Sequence, residues 1–215
     1  MNQFAVIGGT CLSKFKKPGV IFLARHGQKK LPPHLVDHQK NILTLKKKGV
    51  KEVIGICSVG SLKKEIKPGT IVLPDDFINF NPITLFSRQT IVGGIKFFHS
   101  QPQLDEELRN KISQIISKNF PALKFFKQGT YFQTKGPRFE TKAEIKMIKN
   151  FADVVGMTMA DEATVAREAG LKYACICSVD NYANGMDEKN TADEWQKNKA
   201  LNEQKIIRVL GKIFA

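Results

Sequence analysis

Short apolar runs alternate with amphipathic stretches along the whole of this 215-residue chain. Phe4–Ile7 and Gly19–Ala24 read as strands, and so do Val53–Cys57, Thr70–Leu73, Phe125–Phe132, Asp153–Val155 and Tyr173–Ser178. Between them, Pro33–Lys48 carries Leu35, Ile42 and Leu45 at helical spacing, and Asp105–Lys118 carries Leu108, Ile112, Ile115 and Ile116 on one side. Thr141–Asn150, Asp161–Ala169 and the stretch from about Ala192 to the end read as further helices. Lys46–Lys48 followed by Gly49 make a basic last turn and a cap. Helices alternating with near-continuous apolar strands imply an α/β fold, a mixed, mostly parallel twisted sheet flanked by helices. No repeat, low-complexity run or linker breaks the pattern, so residues 1–215 are expected to form a single domain.

Composition narrows the function classes. Apolar residues make up 42% and charged residues 25%, which excludes collagen-like, mucin-like and disordered chains. No apolar run reaches the roughly 18 residues needed to span a bilayer. The start, MNQFAVIGGT, has neither a basic region nor a signal-type apolar stretch. Of Cys11, Cys57, Cys175 and Cys177, no two form a CxxC pair, which argues against a zinc ribbon or a thioredoxin-like site. The last three lie in strand-like runs, where buried thiols are common. A reduced cytoplasmic protein with no structural metal and no membrane partner is expected. The net charge of +14 raises the question of nucleic acid. That role needs a concentrated patch, whereas Lys14, Lys16, Lys17, Lys29, Lys30, Lys46–Lys48, Lys63 and Lys64 are scattered. No nucleic-acid partner is expected. The positive field instead raises the local concentration of an anionic substrate such as phosphate.

Active sites in α/β folds gather where strands end. Gly8-Gly9-Thr10, Arg25-His26-Gly27, Ser58-Val59-Gly60-Ser61, Gly136-Pro137-Arg138-Phe139-Glu140, Met157-Thr158 and Asp180-Asn181 stand at such ends. Each has an ordinary alternative: a tight turn for Gly-Gly, helix capping for Glu140, packing for Phe139 and Met157, a turn pair for Asp180-Asn181. Together they share a theme. Glycines let backbone approach a ligand, and hydroxyls with an Arg and a His suit a tetrahedral oxyanion. An aromatic ring, a carboxylate and an amide suit a flat heterocycle; Asn pairs with a purine edge in just this way.

The runs VIGGT, FLARHG, VGSLKKEIKPGTIVLPDDFI, GPRFETKAE, ADVVGMTMADEATVAREAGLKYA and DNYANG resemble the trimeric purine nucleoside phosphorylase and 5'-methylthioadenosine phosphorylase family, in the family's order and over nearly the whole chain. The resemblance implies phosphate-dependent cleavage of a nucleoside to free purine and ribose 1-phosphate or its 5-methylthio analogue, through a transition state resembling an oxocarbenium ion. Phosphate is a co-substrate, and no metal or organic cofactor is implied.

Position by position, the resemblance puts phosphate contacts on Thr10, Arg25, His26, the backbone of Ser58, and Thr158. It puts Met157 under the sugar and Phe139 over the sugar and base. Glu140 and Asn181 fall on the purine edge as catalytic residues, with Asp180 in Asn181's place if the register slips by one. Asn at that turn implies a 6-oxopurine, where adenine enzymes of the family carry Asp. Ala192, in Thr191-Ala192-Asp193-Glu194-Trp195, matches the 5' position, where a small apolar residue suits a methylthio group. Inosine, guanosine and 5'-methylthioinosine are the implied substrates, with 5'-methylthioadenosine phosphorylase the alternative. A homotrimer whose neighbours complete each site is the family default. The chain departs from the family at Cys11, which replaces a glycine, at Cys57, which replaces a hydroxyl residue, in a short Thr10–Arg25 segment, and at Asp37-His38-Gln39-Lys40-Asn41.

FLARHGQ also resembles the phosphohistidine signature of the phosphoglycerate mutase and histidine phosphatase family, with His26 as nucleophile. That chemistry requires a second histidine late in the chain. The others are His34, His38 and His99, none on a late strand, which leaves this as the remote alternative.

Overall fold

A computed structural model describes residues 3–86, 101–188 and 191–215 of the chain. His99 lies outside the described residues. Two long strands form the spine, β3 (Glu52–Ser61) and β9 (Lys172–Tyr182). They run parallel in register from Glu52 opposite Lys172 to Ser61 opposite Tyr182, with one irregularity between Val59 and Gly60. Their side chains alternate between two cores. Val53, Cys57, Val59, Tyr173, Cys175, Cys177 and Val179 join one cluster. Ile54, Ile56, Ala174 and Ile176 join the other. Both faces are therefore covered, which is why the strands read as unbroken apolar runs rather than alternating ones.

Helices supply the covers. α1 (His38–Lys47) and α4 (Met159–Glu168) place Ile42, Leu45, Met159, Ala163 and Ala166 in the first cluster. α2 (Glu106–Asn119) and α5 (Thr191–Ile213) place Leu108, Ile112, Ile116, Ile206, Val209 and Leu210 in the second. α3 (Lys142–Ile148) closes a smaller third cluster with Ile145 and Ile148. The ends are set locally. Asp37 and Asp105 cap α1 and α2 by accepting from Lys40 N–H and Leu108 N–H, and Thr141 with Glu144 forms a capping box on α3. Lys46 and Lys47 occupy the last turn of α1, Lys48 is its cap, and Gly49 follows at φ +79°.

The rest of the sheet extends from the spine. β1 (Phe4–Gly8) lies between β2 (Val20–Ala24) and the first half of β3, parallel to both. β8 (Val154–Gly156) pairs antiparallel with the far end of β3, at Gly60 and Ser61. β7 (Thr130–Gln133) and β5 (Asp76–Ile78) follow beyond β8, both in parallel pairs. On the other side, β4 (Ile71–Val72) pairs antiparallel with β9 and parallel with β6 (Phe125–Phe126). The sheet is thus mixed and mostly parallel, as the alternation of elements implies.

Three sequence expectations are corrected. Phe125–Phe132 is not one strand but two, β6 and β7, at different places in the sheet. β4 and β5 make the same break, where Pro74 has no N–H for a ladder. Leu73 N–H still bonds Phe126 O at 2.9 Å, and Asp75 N–H bonds Gly129 O at 3.3 Å. These short links join the two ends of the strand order, so the sheet curls. Leu35 is not on α1; it stands 56% exposed in a separate 3-10 turn, Pro33–Leu35, that follows Pro32. β9 continues past Ser178, so Asp180 and Asn181 are strand residues, not a turn.

Candidate active site

The residues that follow β1, β2, β7 and β8 meet the far half of β3, the end of β9 and the start of α5 around a cavity of about 360 Å³. Ser58, Val59 and Gly60 reach it from within β3, which runs on to Ser61 instead of ending at Cys57. Thr10, Arg25, His26, Ser58, Phe139, Glu140, Met157, Thr158, Asn181 and Ala192 all line it. Asp180, the remaining expected residue, does not. As β9 side chains alternate, Asn181 faces the cavity and Asp180 turns the other way, fully buried.

Arg25 is buried, and four of its five N–H groups have partners. Nε donates to Glu162 Oε1 at 2.6 Å and Nη2 to Glu162 Oε2 at 3.0 Å. Nη1 donates to Ile56 O at 2.8 Å, and Nη2 reaches Cys57 Sγ at 3.3 Å. One N–H on Nη1 remains. Burial would raise the Glu162 carboxyl, but the charge and hydrogen bonds of Arg25, together with His38 at 3.6 Å, outweigh it and hold the group down at about 2. Gly9 makes this possible, because a Cβ there would sit 2.1 Å from Arg25 Nη1.

His26 Nδ1 lies 2.7 Å from Leu31 O, so Nδ1 carries the proton and Nε2 is the acceptor. Burial lowers its pKa, which favours this neutral form. Thr158 Oγ1 is 3.6 Å from Cys57 Sγ, and its N–H donates to the Tyr131 hydroxyl at 3.2 Å.

At the other end of the cavity, Glu140 is buried and accepts from Thr134 Oγ1 at 2.6 Å. Burial raises its carboxyl above the ordinary value, and the Thr134 bond opposes that shift only in part. Asn181 commits one amide proton to Tyr182 O at 2.8 Å and keeps the other. Phe139 is 40% exposed at the rim.

Residues 4–215 match the model of the Phosphorylase superfamily. The chain belongs to that superfamily. A probable 6-oxopurine nucleoside phosphorylase of Archaeoglobus fulgidus is 46% identical over 174 residues, covering 80% of this chain and 68% of that protein. A probable S-methyl-5'-thioinosine phosphorylase of Methanocaldococcus jannaschii is 40% identical over 91% of this chain and 77% of that protein. An S-methyl-5'-thioadenosine phosphorylase of Pyrococcus horikoshii is 38% identical over 89% of this chain and 74% of that protein. The solved methylthioadenosine phosphorylase of Schistosoma mansoni, in complex with adenine, superposes with a TM-score of 0.84 over 100% of this chain and 91% of that one, at 22% identity. At that identity the likeness shows the fold.

Membership in the phosphorylase superfamily displaces the histidine phosphatase alternative for His26. It leaves four side chains that the sequence reading did not assign to the site. Glu162 holds Arg25; on α4 it falls on the stripe of Met159, Val165 and Ala166, and a carboxylate on an apolar stripe is the signal of a buried partner. Trp195 and Gln196 line the cavity beside Ala192, one turn into α5. Thr134 orients Glu140 from the end of β7.

Proposed function

We propose that this phosphorylase cleaves 6-oxopurine nucleosides, inosine, guanosine or 5'-methylthioinosine, with inorganic phosphate as co-substrate. The observation that carries the reading is that Glu140 and Asn181 share one cavity with Thr10, Arg25, His26 and Thr158. The second group suits a tetrahedral oxyanion, with the free Nη1–H of Arg25 and the Thr10 and Thr158 hydroxyls as donors. Neutral His26 accepts a hydrogen bond from protonated phosphate through Nε2. Glu140 as a carboxylate accepts N1–H of a 6-oxopurine, and the spare Asn181 amide proton serves its bare N7 or O6. When the bond from the sugar to the purine breaks, positive charge develops on the sugar and negative charge on the base. Phosphate meets the first, and Asn181 the second. Met157 and Phe139 enclose the sugar, and Ala192 leaves space at its 5' end. No step calls for a metal or an organic cofactor. The names of the Archaeoglobus and Methanocaldococcus relatives support the same base and sugar classes.

A second reading, 5'-methylthioadenosine phosphorylase, has one observation in its favour. The raised Glu140 carboxyl, when protonated, donates to the bare N1 of a 6-aminopurine. Asn181 favours the first reading, since adenine N7 must gain a proton as it leaves.

The assembly we propose is a homotrimer, in a cytoplasmic enzyme of purine salvage. Phe80, Phe151 and Met147, 74%, 68% and 56% exposed, are large apolar side chains a neighbour would cover. No described helix is long and apolar enough to cross a membrane. Incubation with inosine tests the activity: hypoxanthine and ribose 1-phosphate should appear in equal amounts with phosphate, and neither should appear without it. Free ribose in place of the sugar phosphate would refute phosphorolysis.

A further inference from the structure

The reaction described above leaves one buried polar chain unused. Asp180 is fully buried, and its carboxylate accepts the Ser58 hydroxyl on Oδ2. On Oδ1 it accepts Ser178 Oγ–H at 2.6 Å and Asn202 Nδ2–H at 2.7 Å. Ser58 has a single hydroxyl proton, and Asp180 takes it, so Ser58 Oγ is left as an acceptor. The donor it receives is Trp195 Nε1–H, at 3.0 Å. Trp195 lines the cavity next to Ala192, and Lys199 Nζ lies 5.0 Å from its ring centroid. Asn198 and Asn202 of α5 also bond the backbone carbonyls of Asp180 and Val179, at 2.9 and 3.2 Å. The indole is therefore fixed by a carboxylate it never touches.

We propose that Asp180 is a positioning residue for the sugar end of the cavity: through Ser58 it turns the Trp195 N–H away from the substrate and presents the ring as a wall, favouring a 5'-methylthio over a 5'-hydroxyl nucleoside. The proposal rests on the phosphorylase reading. A carboxylate behind Ser58 strengthens Oγ as an acceptor, since charge-assisted bonds polarise their neighbours. An indole whose donor is occupied offers nothing to a hydroxyl, while its ring suits a thioether sulfur. Without the relay, the N–H is released toward the cavity and can serve a 5'-hydroxyl.

Trp195 is the single tryptophan of the chain, so its fluorescence reports this wall alone. The experiment compares wild type, D180N, W195F and the double variant. It reads kcat/KM for 5'-methylthioinosine over that for inosine, together with tryptophan emission. D180N should lower the ratio about three- to tenfold, through KM for the methylthio nucleoside more than through kcat. Its emission should move to longer wavelength as the indole meets water. In the W195F background, D180N should change the ratio less than twofold, because the relay has lost its end. An unchanged ratio and emission in D180N, or an equal effect of D180N in both backgrounds, would overturn the proposal. If D180N does not fold, S58A cuts the same chain and is read the same way. If wild type releases no base from any nucleoside, the phosphorylase reading fails by itself, and the emission of D180N still decides whether Asp180 holds Trp195.

Discussion

Arg25 and Glu162 meet as a two-pronged fork, Nε to Oε1 at 2.6 Å and Nη2 to Oε2 at 3.0 Å, with both side chains buried. The Tyr173 hydroxyl is a third donor to the carboxylate, reaching Oε2 at 2.8 Å. The guanidinium is thus fixed on its inner edge, and the edge toward Gly9 keeps one N–H. A bidentate pair sets the plane of the guanidinium as well as its place, which a lysine at position 25 could not reproduce.

Replacing Glu162 with Gln should therefore act on phosphate more than on the nucleoside. We expect E162Q to raise KM for phosphate about tenfold or more, with KM for inosine changed only a few-fold. The fold should lose about 3 kcal/mol, because a buried guanidinium is left without its counter-charge. The pH dependence has a definite sign. The Glu162 pKa is depressed from an ordinary 4.5 to about 2, so its contribution to stability is complete above 4.5 and fades as pH falls toward 2. Denaturant melts should show the gap between wild type and E162Q narrowing over that window.

Gly9→Ala should produce a related defect by a different route. Its Cβ would press on Arg25 Nη1, and the bonds to Glu162 and Ile56 leave the guanidinium little room to yield. We expect phosphate affinity to fall with little change in the base preference. Steady-state kinetics with phosphate varied would check this, and wild-type phosphate affinity in G9A would count against Arg25 as the phosphate ligand.

Much of this was legible in the sequence, for physical reasons. β3 and β9 are long, apolar and covered on both faces, so they read as strands whatever surrounds them. Residues at or just after the strand ends line one cavity because strand ends converge in an α/β sheet. What did not read was set by tertiary geometry. The break between β6 and β7 depends on how a curled sheet closes, and β5, with exposed Asp76 and half-buried Phe77 and Ile78, carries almost no apolar signal. Asp180 could not be separated from Asn181 without the exact length of β9, because one residue of register reverses which side chain faces the cavity. Trp195 stands ten residues beyond Gly185, and only the packing of α5 on β9 brings it to Ser58.

Glu140 gives a pH signature. Burial raises its carboxyl, and only the ionised form accepts N1–H of a 6-oxopurine. The acid limb of kcat/KM for inosine should therefore lie above the ordinary glutamate range, with activity falling as pH drops through it. Protonation supplies a donor for adenine N1, so the inosine-to-adenosine ratio should fall on the same limb. A pH–rate profile of E140Q should lack that limb.

Asn181→Asp should shift preference toward 6-aminopurines, because an acid at that position can share a proton with N7. A mismatched buried polar contact costs about 1–3 kcal/mol, roughly tenfold to a hundredfold in specificity. The inosine-to-adenosine ratio of kcat/KM should drop by that order in N181D. An unchanged ratio would show that Asn181 does not read the base.

The most direct test of the central claim is the ranking of four nucleosides by the wild-type protein at saturating phosphate: inosine, adenosine and their 5'-methylthio analogues. With Glu140 and Asn181 at the purine edge, kcat/KM for the two hypoxanthine nucleosides should exceed that for their adenine counterparts by about tenfold or more. A preference for the adenine nucleosides would contradict the account and install the methylthioadenosine reading in its place.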